Sequence, residues 1–253
     1  MKINKLFNFQ KKNILITGSN GQIGKALVKL FLENGAYVYG IDKTINQKNK
    51  KKNFTQIKLD ITEKNKCYDE ILSIVLKRKK IDVIINNAAA SFFSNNNHLL
   101  DDEIKKTIDV NLNGLMNIIK SYFVIHKKKK LKKCKIINIG SIYGIRSPDF
   151  RVYGKNDRKN SDIYGATKAA TIQLTKYYSV LYAKHNISLN SISPGGVFNH
   201  QDVNFVKKYS NRVPIGRMAK VEDLFTTVLF LSSEESSYIL GQNIILDGGL
   251  SIW

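Results

Sequence analysis

A chain of 253 residues, 43% of them hydrophobic, is long enough to bury a full α/β core. It holds neither a membrane-length apolar stretch nor a signal-peptide core, so a cytoplasmic protein without membrane partners is expected. Lysine and arginine (41) outnumber aspartate and glutamate (20) for a net charge of +21, but the excess is spread widely and the runs at Lys48–Lys52 and Lys127–Lys133 lack interleaved aromatics; this argues against specific nucleic-acid binding and for a field that draws in anions. Two isolated cysteines and four scattered histidines have no metal-ligand spacing, so no metal site is predicted.

Residues 13 to 17 form a short apolar run, expected to be a buried parallel strand. Gly18-Ser-Asn-Gly21-Gln-Ile-Gly24 follows, and residues 25 to 32 then show helical periodicity up to Gly35. A strand, a glycine turn and a helix N-terminus together make a pyrophosphate cradle: glycine lets the backbone approach the anion, and the first helical N–H groups face it. Gly18, Asn20, Gly21, Gln22, Ile23 and Gly24 are therefore candidate cofactor-binding residues. The next strand, Tyr37 to Ile41, ends at Asp42, about 20 residues past the glycines, where an acid binds the adenosine ribose hydroxyls and repels a 2′-phosphate. That favours NAD over NADP, with Lys43 as a partial offset.

A third strand near Phe54 to Leu59 ends in Asp60, Ile61 and Thr62, and a helix is expected over 62 to 79. The fourth strand, Ile81 to Ile85, runs into Asn86, Asn87, Ala88 and Ala89, whose small side chains admit a flat ligand. Residues 101 to 126 read as one long helix containing Asn111, a poor interior residue unless its amide bonds water or a neighbouring carbonyl. The fifth strand, Cys134 to Ile139, leads to Ser141, and the sixth, Ile187 to Ile192, to Pro194, Gly195 and Val197. A helix over Val221 to Leu231 precedes the seventh, which begins at Asn243 and runs to Asp247. This alternation predicts a doubly wound parallel sheet with ligands at the strands' C-terminal ends, where every motif above sits.

Ser161 to Lys168 opens another helix, capped by Ser161 or Asp162, with Ile163, Ala166, Ala170 and Leu174 as its expected buried stripe. Tyr164 and Lys168 then project from one face a turn apart. An ammonium beside a phenol favours the phenolate and draws a pKa of about 10 toward working pH. A phenol tuned in this way exchanges a proton with a carbonyl/alcohol pair.

In order, the Thr17 to Gly24 turn, Asp60-Ile-Thr62, Asn86-Asn-Ala-Ala89, Asn111, Ser141, Tyr164-x-x-x-Lys168, Pro194-Gly195 and Asp247-Gly-Gly249 resemble the short-chain dehydrogenase/reductase family, single-domain branch. The resemblance implies one Rossmann domain over residues 1–253, with a seven-stranded sheet of order 3-2-1-4-5-6-7 and helices on both faces. It implies an NAD(P)-dependent oxidoreductase acting on a hydroxyl or ketone. Tyr164 would be the general acid/base and Lys168 would lower its pKa and hold the nicotinamide ribose. Ser141 would bond the reacting oxygen, and Asn111 would support a relay water. Asp60 would lie by the adenine, with Ile61, Asn87, Ala88, Ala89, Pro194, Gly195 and Val197 along the cofactor. A homodimer or homotetramer is implied, formed through helices 101–126 and 163–184 and joined by the apolar tail Leu250 to Trp253.

Two departures stand out. Glycine is usual in the single-domain branch where Gln22 stands, and the 18, 21, 24 spacing looks like the family's extended branch. The polar segment between Ser141 and Tyr164, with Asp149, Arg151, Tyr153, Lys155 and Arg158, is longer than usual and is a candidate roof for the pocket. The expected substrate loops are about 142–161 and 195–217. Ser141 to Phe150, with Ser193 to Phe198, also looks similar to members of bacterial nonulosonic-acid and flagellin-glycan pathways. Together with Arg146 and Arg151 this implies a polar or anionic, sugar-derived substrate in carbohydrate biosynthesis. Two alternatives stay open: a sugar epimerase or dehydratase that retains NAD, and a non-catalytic NAD-sensing or nucleic-acid-binding module.

Overall fold

The computed structural model describes residues 7–45, 51–94, 99–154 and 159–253. Lys48 to Lys50 of the first basic run, and Lys155 and Arg158 of the polar segment, lie outside the described residues. The first half comprises β1 (Asn13–Thr17), α1 (Gln22–Glu33), β2 (Tyr37–Asp42), β3 (Phe54–Lys58), α2 (Lys64–Arg78) and β4 (Val83–Asn86). There follow β5 (Phe93–Ser94), α3 (Asp101–Ile108), a π-helical segment Asp109–Gly114, α4 (Leu115–Lys128) and β6 (Cys134–Ile139). The remainder is β7 (Lys159–Asn160), α5 (Asp162–Tyr182), β8 (Ile187–Pro194), α6 (Val203–Ser210), α7 (Phe225–Ser232) and β9 (Asn243–Leu246).

Seven strands pair in parallel in the order β3-β2-β1-β4-β6-β8-β9. Counted without the two short strands outside the sheet, this is the expected 3-2-1-4-5-6-7. Chain direction across the sheet reverses between β1 and β4, which opens a crevice above their C-terminal ends. Every residue of β1 is buried, because helices cover both faces. Leu15, Ile84 and Ile136 face Ile71, Ile118 and Tyr122 of α2 and α4. Ile14, Ile16 and Ile85 face Leu27 and Phe31 of α1 and Leu231 of α7. Burying each such side chain is worth roughly 1.5–3 kcal/mol, so the sheet is the rigid base from which the site loops project. No helix among the described residues is long and apolar enough to cross a membrane.

Three features differ from the expectations. The helix over 101–126 is not uniform: α3 widens into the π-helical segment before α4 resumes. Such a bulge turns side chains off the regular α-helical rows, and this one contains Asn111. Secondly, the buried face of α5 is Thr167, Lys168, Thr171, Thr175, Tyr178, Ser179 and Tyr182; Ala166 is exposed, and Ile163, Ala170 and Leu174 are half-buried. The Thr171 hydroxyl donates to the Thr167 carbonyl (3.0 Å) and that of Thr175 to the Thr171 carbonyl (2.8 Å). With their polar atoms satisfied on the helix itself, these threonines bury like small branched apolar residues, which a hydrophobic pattern cannot register. Ser161 is the cap, accepting the Tyr164 N–H at 3.3 Å.

Thirdly, β5 and β7 form an antiparallel ribbon, Phe93 opposite Asn160, that ties the loop after β4 to the segment before α5. The C-terminal tail divides: Leu250 is buried, whereas Trp253 stays exposed with its indole N–H donating to the Arg212 carbonyl at 2.8 Å.

Candidate active site

The glycine turn packs against the loop after β4. Gly18 has φ +65°, and a Cβ there would lie 2.7 Å from the Ala88 Cα; a Cβ at Gly24 would lie 2.0 Å from the Gly18 carbonyl oxygen. Gly21 meets nothing closer than 3.4 Å and is the N-cap of α1, which begins without a side-chain cap. The first-turn N–H groups of α1 thus stand at the edge of a cavity of about 770 Å³, lined by Gly18, Asn20, Gly21, Gln22, Ile23, Asp42, Ile61, Asn87, Ala88 and Ala89. An uncapped helix N-terminus behind open glycine backbone fits a pyrophosphate. The Thr17 hydroxyl oxygen accepts the N–H groups of Asn87 and Ala88 at 3.1 Å each, and the Asn87 amide donates to the Thr17 and Gly18 carbonyls (3.1 and 3.0 Å), so turn and loop move as one piece.

Asp42 accepts the Asn20 N–H at 2.9 Å and borders this cavity. Asp60 does not line it; Leu59 and Ile61 do. Burial pushes the Asp60 carboxyl up, but the Lys43 ammonium at 2.8 Å and the Thr62 N–H and hydroxyl outweigh it and hold the group below the usual carboxylate range. Lys43 is therefore engaged with Asp60 and is not free to neutralise Asp42.

A second cavity of about 780 Å³ shares the lining residues Gln22, Ile23, Asn87, Ala89, Ser91 and Asn199 with the first. Ser141, Tyr164, Lys168, Pro194, Gly195 and Val197 all line it. Ser141 is fixed at the start of a short turn by accepting the Tyr143 N–H at 3.2 Å, and its hydroxyl is near enough to the Tyr164 phenol to favour the charged form. Lys168 sits one turn along α5, its Nζ 5.7 Å from the Tyr164 ring centroid and donating to the Ile139 carbonyl at 2.8 Å. Burial lowers the Lys168 ammonium to about 8. Burial also raises the Tyr164 phenol above its ordinary value, with Ser141 only partly offsetting it. The expected lowering of Tyr164 by Lys168 is thus not found here: the amine is turned to a backbone carbonyl, and desolvation outweighs the influence of the nearby Ser141 hydroxyl.

Asn111 lines neither cavity. Its Oδ1 accepts the Ala90 N–H at 2.7 Å, and its Nδ2 donates to the Ala90 carbonyl and the Thr167 hydroxyl at 3.0 Å each. The Thr167 hydroxyl in turn donates to the Tyr164 carbonyl at 2.8 Å. Asn111 therefore joins the cofactor-side loop to the helix bearing Tyr164. Asn111→Ala leaves the half-buried Ala90 N–H and C=O without their partner, and is expected to cost about 1–3 kcal/mol in urea unfolding. An unchanged urea midpoint would show that the bridge is dispensable.

The polar segment before α5 contributes Tyr153 and Asn160 to the catalytic-side cavity. Arg146 and Arg151 do not line it. Arg146 donates to the Leu250 carbonyl, and Arg151 pairs with Asp149, which also binds Arg212 at 2.7 Å. Neither guanidinium is available for the anionic substrate group expected of it. Beyond the sequence-predicted residues, the structure adds Tyr143, Phe205 and Tyr209 to the wall, while the predicted Gln22 lines both cavities, its amide donating to the Phe198 carbonyl at 2.5 Å. The glutamine was visible as a departure from the usual glycine; the aromatic residues gave no local signal. A further cavity of about 780 Å³ at the opposite end of the strands, between Lys12, Asp82, Lys135 and Glu234, contains none of these residues.

Residues 18–251 match a family model described as enoyl-(acyl carrier protein) reductase. The 3-oxoacyl-[acyl-carrier-protein] reductase of Thermotoga maritima is 31% identical over 95% of this chain and 98% of its own length. The NAD-dependent glycerol dehydrogenase of Listeria innocua is 28% identical over 98% of this chain and 97% of its own. Among solved structures, a short-chain dehydrogenase from Leptospira borgpetersenii with bound NAD+ superposes with a TM-score of 0.89 at 37% identity, covering 97% of this chain and 94% of that one. Sheet order, glycine turn and near full-length similarity agree, and the chain belongs to the short-chain dehydrogenase/reductase family of NAD(P)-dependent oxidoreductases.

Proposed function

We propose that the protein interconverts an alcohol and a ketone on a polar, sugar-derived small molecule in carbohydrate metabolism, with NAD as cofactor and Tyr164 as general acid/base. The observation that carries this reading is the placement of Ser141, Tyr164 and Lys168, the last one helical turn from Tyr164, on the wall of one cavity that shares lining residues with the nucleotide-sized one. The bound nicotinamide supplies or accepts the hydride. This chain's part is to hold the substrate oxygen at the Ser141 hydroxyl and to pass its proton to or from the Tyr164 phenol. Lys168 would leave the Ile139 carbonyl for the nicotinamide ribose and set a positive charge beside the phenol. The joined Thr17, Asn87 and Gly18 backbone, with the N-terminus of α1, would carry the pyrophosphate.

Asp42 supports NAD over NADP, because its carboxylate borders the nucleotide cavity and Lys43 is held by Asp60. Fluorescence titration tests this. NADH is expected to bind at least about 10-fold tighter than NADPH, and Asp42→Ala to narrow that gap. Equal affinities would remove the NAD reading, and binding of neither nucleotide would remove the enzyme reading. Reduction of 3-oxoacyl thioesters is the second reading, favoured by the Thermotoga relative, and preferential turnover of an acetoacetyl thioester would establish it. A retained-NAD epimerase would instead copurify with NAD and show no net redox change. Exposed Tyr177, Val180 and Leu181 on α5, with Val124 on α4, support a homo-oligomer formed through these helices.

A further inference from the structure

Three phenols converge on the wall of the catalytic-side cavity from three different elements. Tyr143 follows Ser141 by two positions, Tyr153 comes from the polar segment before α5, and Tyr209 from α6. The Tyr143 and Tyr153 hydroxyls lie 3.3 Å apart, and the Asn160 amide donates to the Tyr153 oxygen at 3.4 Å. Tyr209 places its hydroxyl against the turn after β8, where it accepts the Gly196 N–H at 2.6 Å. The turn is built to receive it: a Cβ at Gly196 would lie 2.8 Å from the Tyr209 Cζ. Phe205 bridges the rings, 5.4 Å from Tyr153 and 5.8 Å from Tyr209.

A donor count shows what is left over. Three phenols bring three O–H donors. One is used between Tyr143 and Tyr153; the other member of that pair, and Tyr209, have no acceptor for their own O–H among the described residues. Burial holds Tyr143 and Tyr209 above the ordinary phenol range, so both keep their protons at working pH. A hydroxyl that faces a cavity without a protein acceptor can give its hydrogen bond to a molecule bound there. Here two such donors line a cavity that also contains Asn160, Asn199 and Gln201, side chains that both give and accept hydrogen bonds.

We propose that Tyr143, Tyr153 and Tyr209 form a hydroxyl-recognition subsite, so that the substrate is a polyhydroxylated ketone or alcohol and not one with a plain alkyl chain. The inference rests on the oxidoreductase reading above and names the substrate class of that same site. The aromatic faces of Tyr153 and Phe205 suit the C–H surface of such a molecule, and the phenol edges suit its oxygens. A hydroxyl remote from the reacting carbon is bound alike in ground and transition state, so its loss is read mainly in KM.

The test uses two pairs of ketones with matched skeletons, L-erythrulose with 2-butanone and D-fructose with 2-hexanone, and adds an acetoacetyl thioester. Wild type is expected to favour the hydroxylated member of at least one pair by about 10²-fold or more in kcat/KM, because donors left unpaired penalise the analogue. Tyr143→Phe and Tyr153→Phe should each raise KM for the hydroxylated ketone by about 10-fold with kcat held, and leave the alkyl ketone within about twofold. An unchanged NADH affinity shows that the variants are folded. The subsite is overturned if both members of a pair fall in proportion, if the alkyl ketones or the thioester are preferred, or if neither variant changes KM. A wild-type protein that binds NADH but reduces none of the five compounds also overturns it. One that binds neither NADH nor NADPH refutes the oxidoreductase reading itself, which keeps the two failures apart.

Discussion

Tyr164→Phe is expected to lower turnover by about 10³-fold while leaving NADH affinity within about twofold, since the change removes the proton-exchanging oxygen and little packing. The ring stays where it was, and Ser141 keeps its Tyr143 N–H contact. Steady-state kinetics with a nucleotide titration on the same sample read both quantities. Retention of more than about a tenth of wild-type kcat would move the proton transfer to another group. The pH profile carries a second signature. In the free protein the Tyr164 phenol is held above its ordinary value by burial, so it keeps its proton and is ready to donate. Lys168, lowered by burial to about 8, is cationic below that pH and neutral above it. Ketone reduction should therefore hold steady on the acid side and decline as pH rises through about 8, and Lys168→Met should abolish that inflection along with most of the activity. The same group has a stability consequence of defined sign. An unfolded lysine binds its proton up to 10.5, whereas the folded one releases it near 8, so this site adds stability as pH climbs through that window. Urea midpoints of wild type and Lys168→Met across it should converge toward low pH in the sense of a smaller wild-type advantage.

Gly24→Ala is expected to cost about 3 kcal/mol or more and to abolish nucleotide binding, because the added methyl would meet backbone and has no flexible side chain to displace. Its Cβ would lie 2.0 Å from the Gly18 carbonyl oxygen and 2.9 Å from the Gly18 carbonyl carbon. Relief requires α1 to move away from β1, which opens the cradle and strains the Thr17 and Asn87 bonds holding the next loop. Gly21→Ala is the contrast, since a Cβ there meets nothing nearer than 3.4 Å and should leave the fold near wild-type stability. A Gly24→Ala protein with wild-type urea midpoint and NADH affinity would show that α1 tilts without consequence for the site.

The fold was legible from a few local signals. Ile14-Leu-Ile16 and Ile137, with Gly18 and Gly24 at a strand-to-helix junction, announce buried parallel strands and a close turn, because continuous apolar runs and Cβ-free positions each admit few structures. Tyr164 and Lys168 were legible for the same reason: helical spacing alone sets them on one face. The buried side of α5 was not, since Thr167, Thr171 and Thr175 read as polar until their hydroxyls are seen to bond within the helix or to its neighbours.

By itself, then, the sequence determined the sheet and the close glycine turn, and it set Tyr164 and Lys168 on one helix face, all of which depend on periodicity or steric demand at short range. Tertiary structure decided the rest. It engaged Arg146 and Arg151 away from the cavity, bound Lys43 to Asp60, and turned Asn111 onto Ala90. It also gathered Tyr143, Tyr153 and Tyr209 from distant parts of the chain onto one wall. The physical reason is that a charge or a hydroxyl takes its role from its partner, and a partner's position follows from how the whole chain packs.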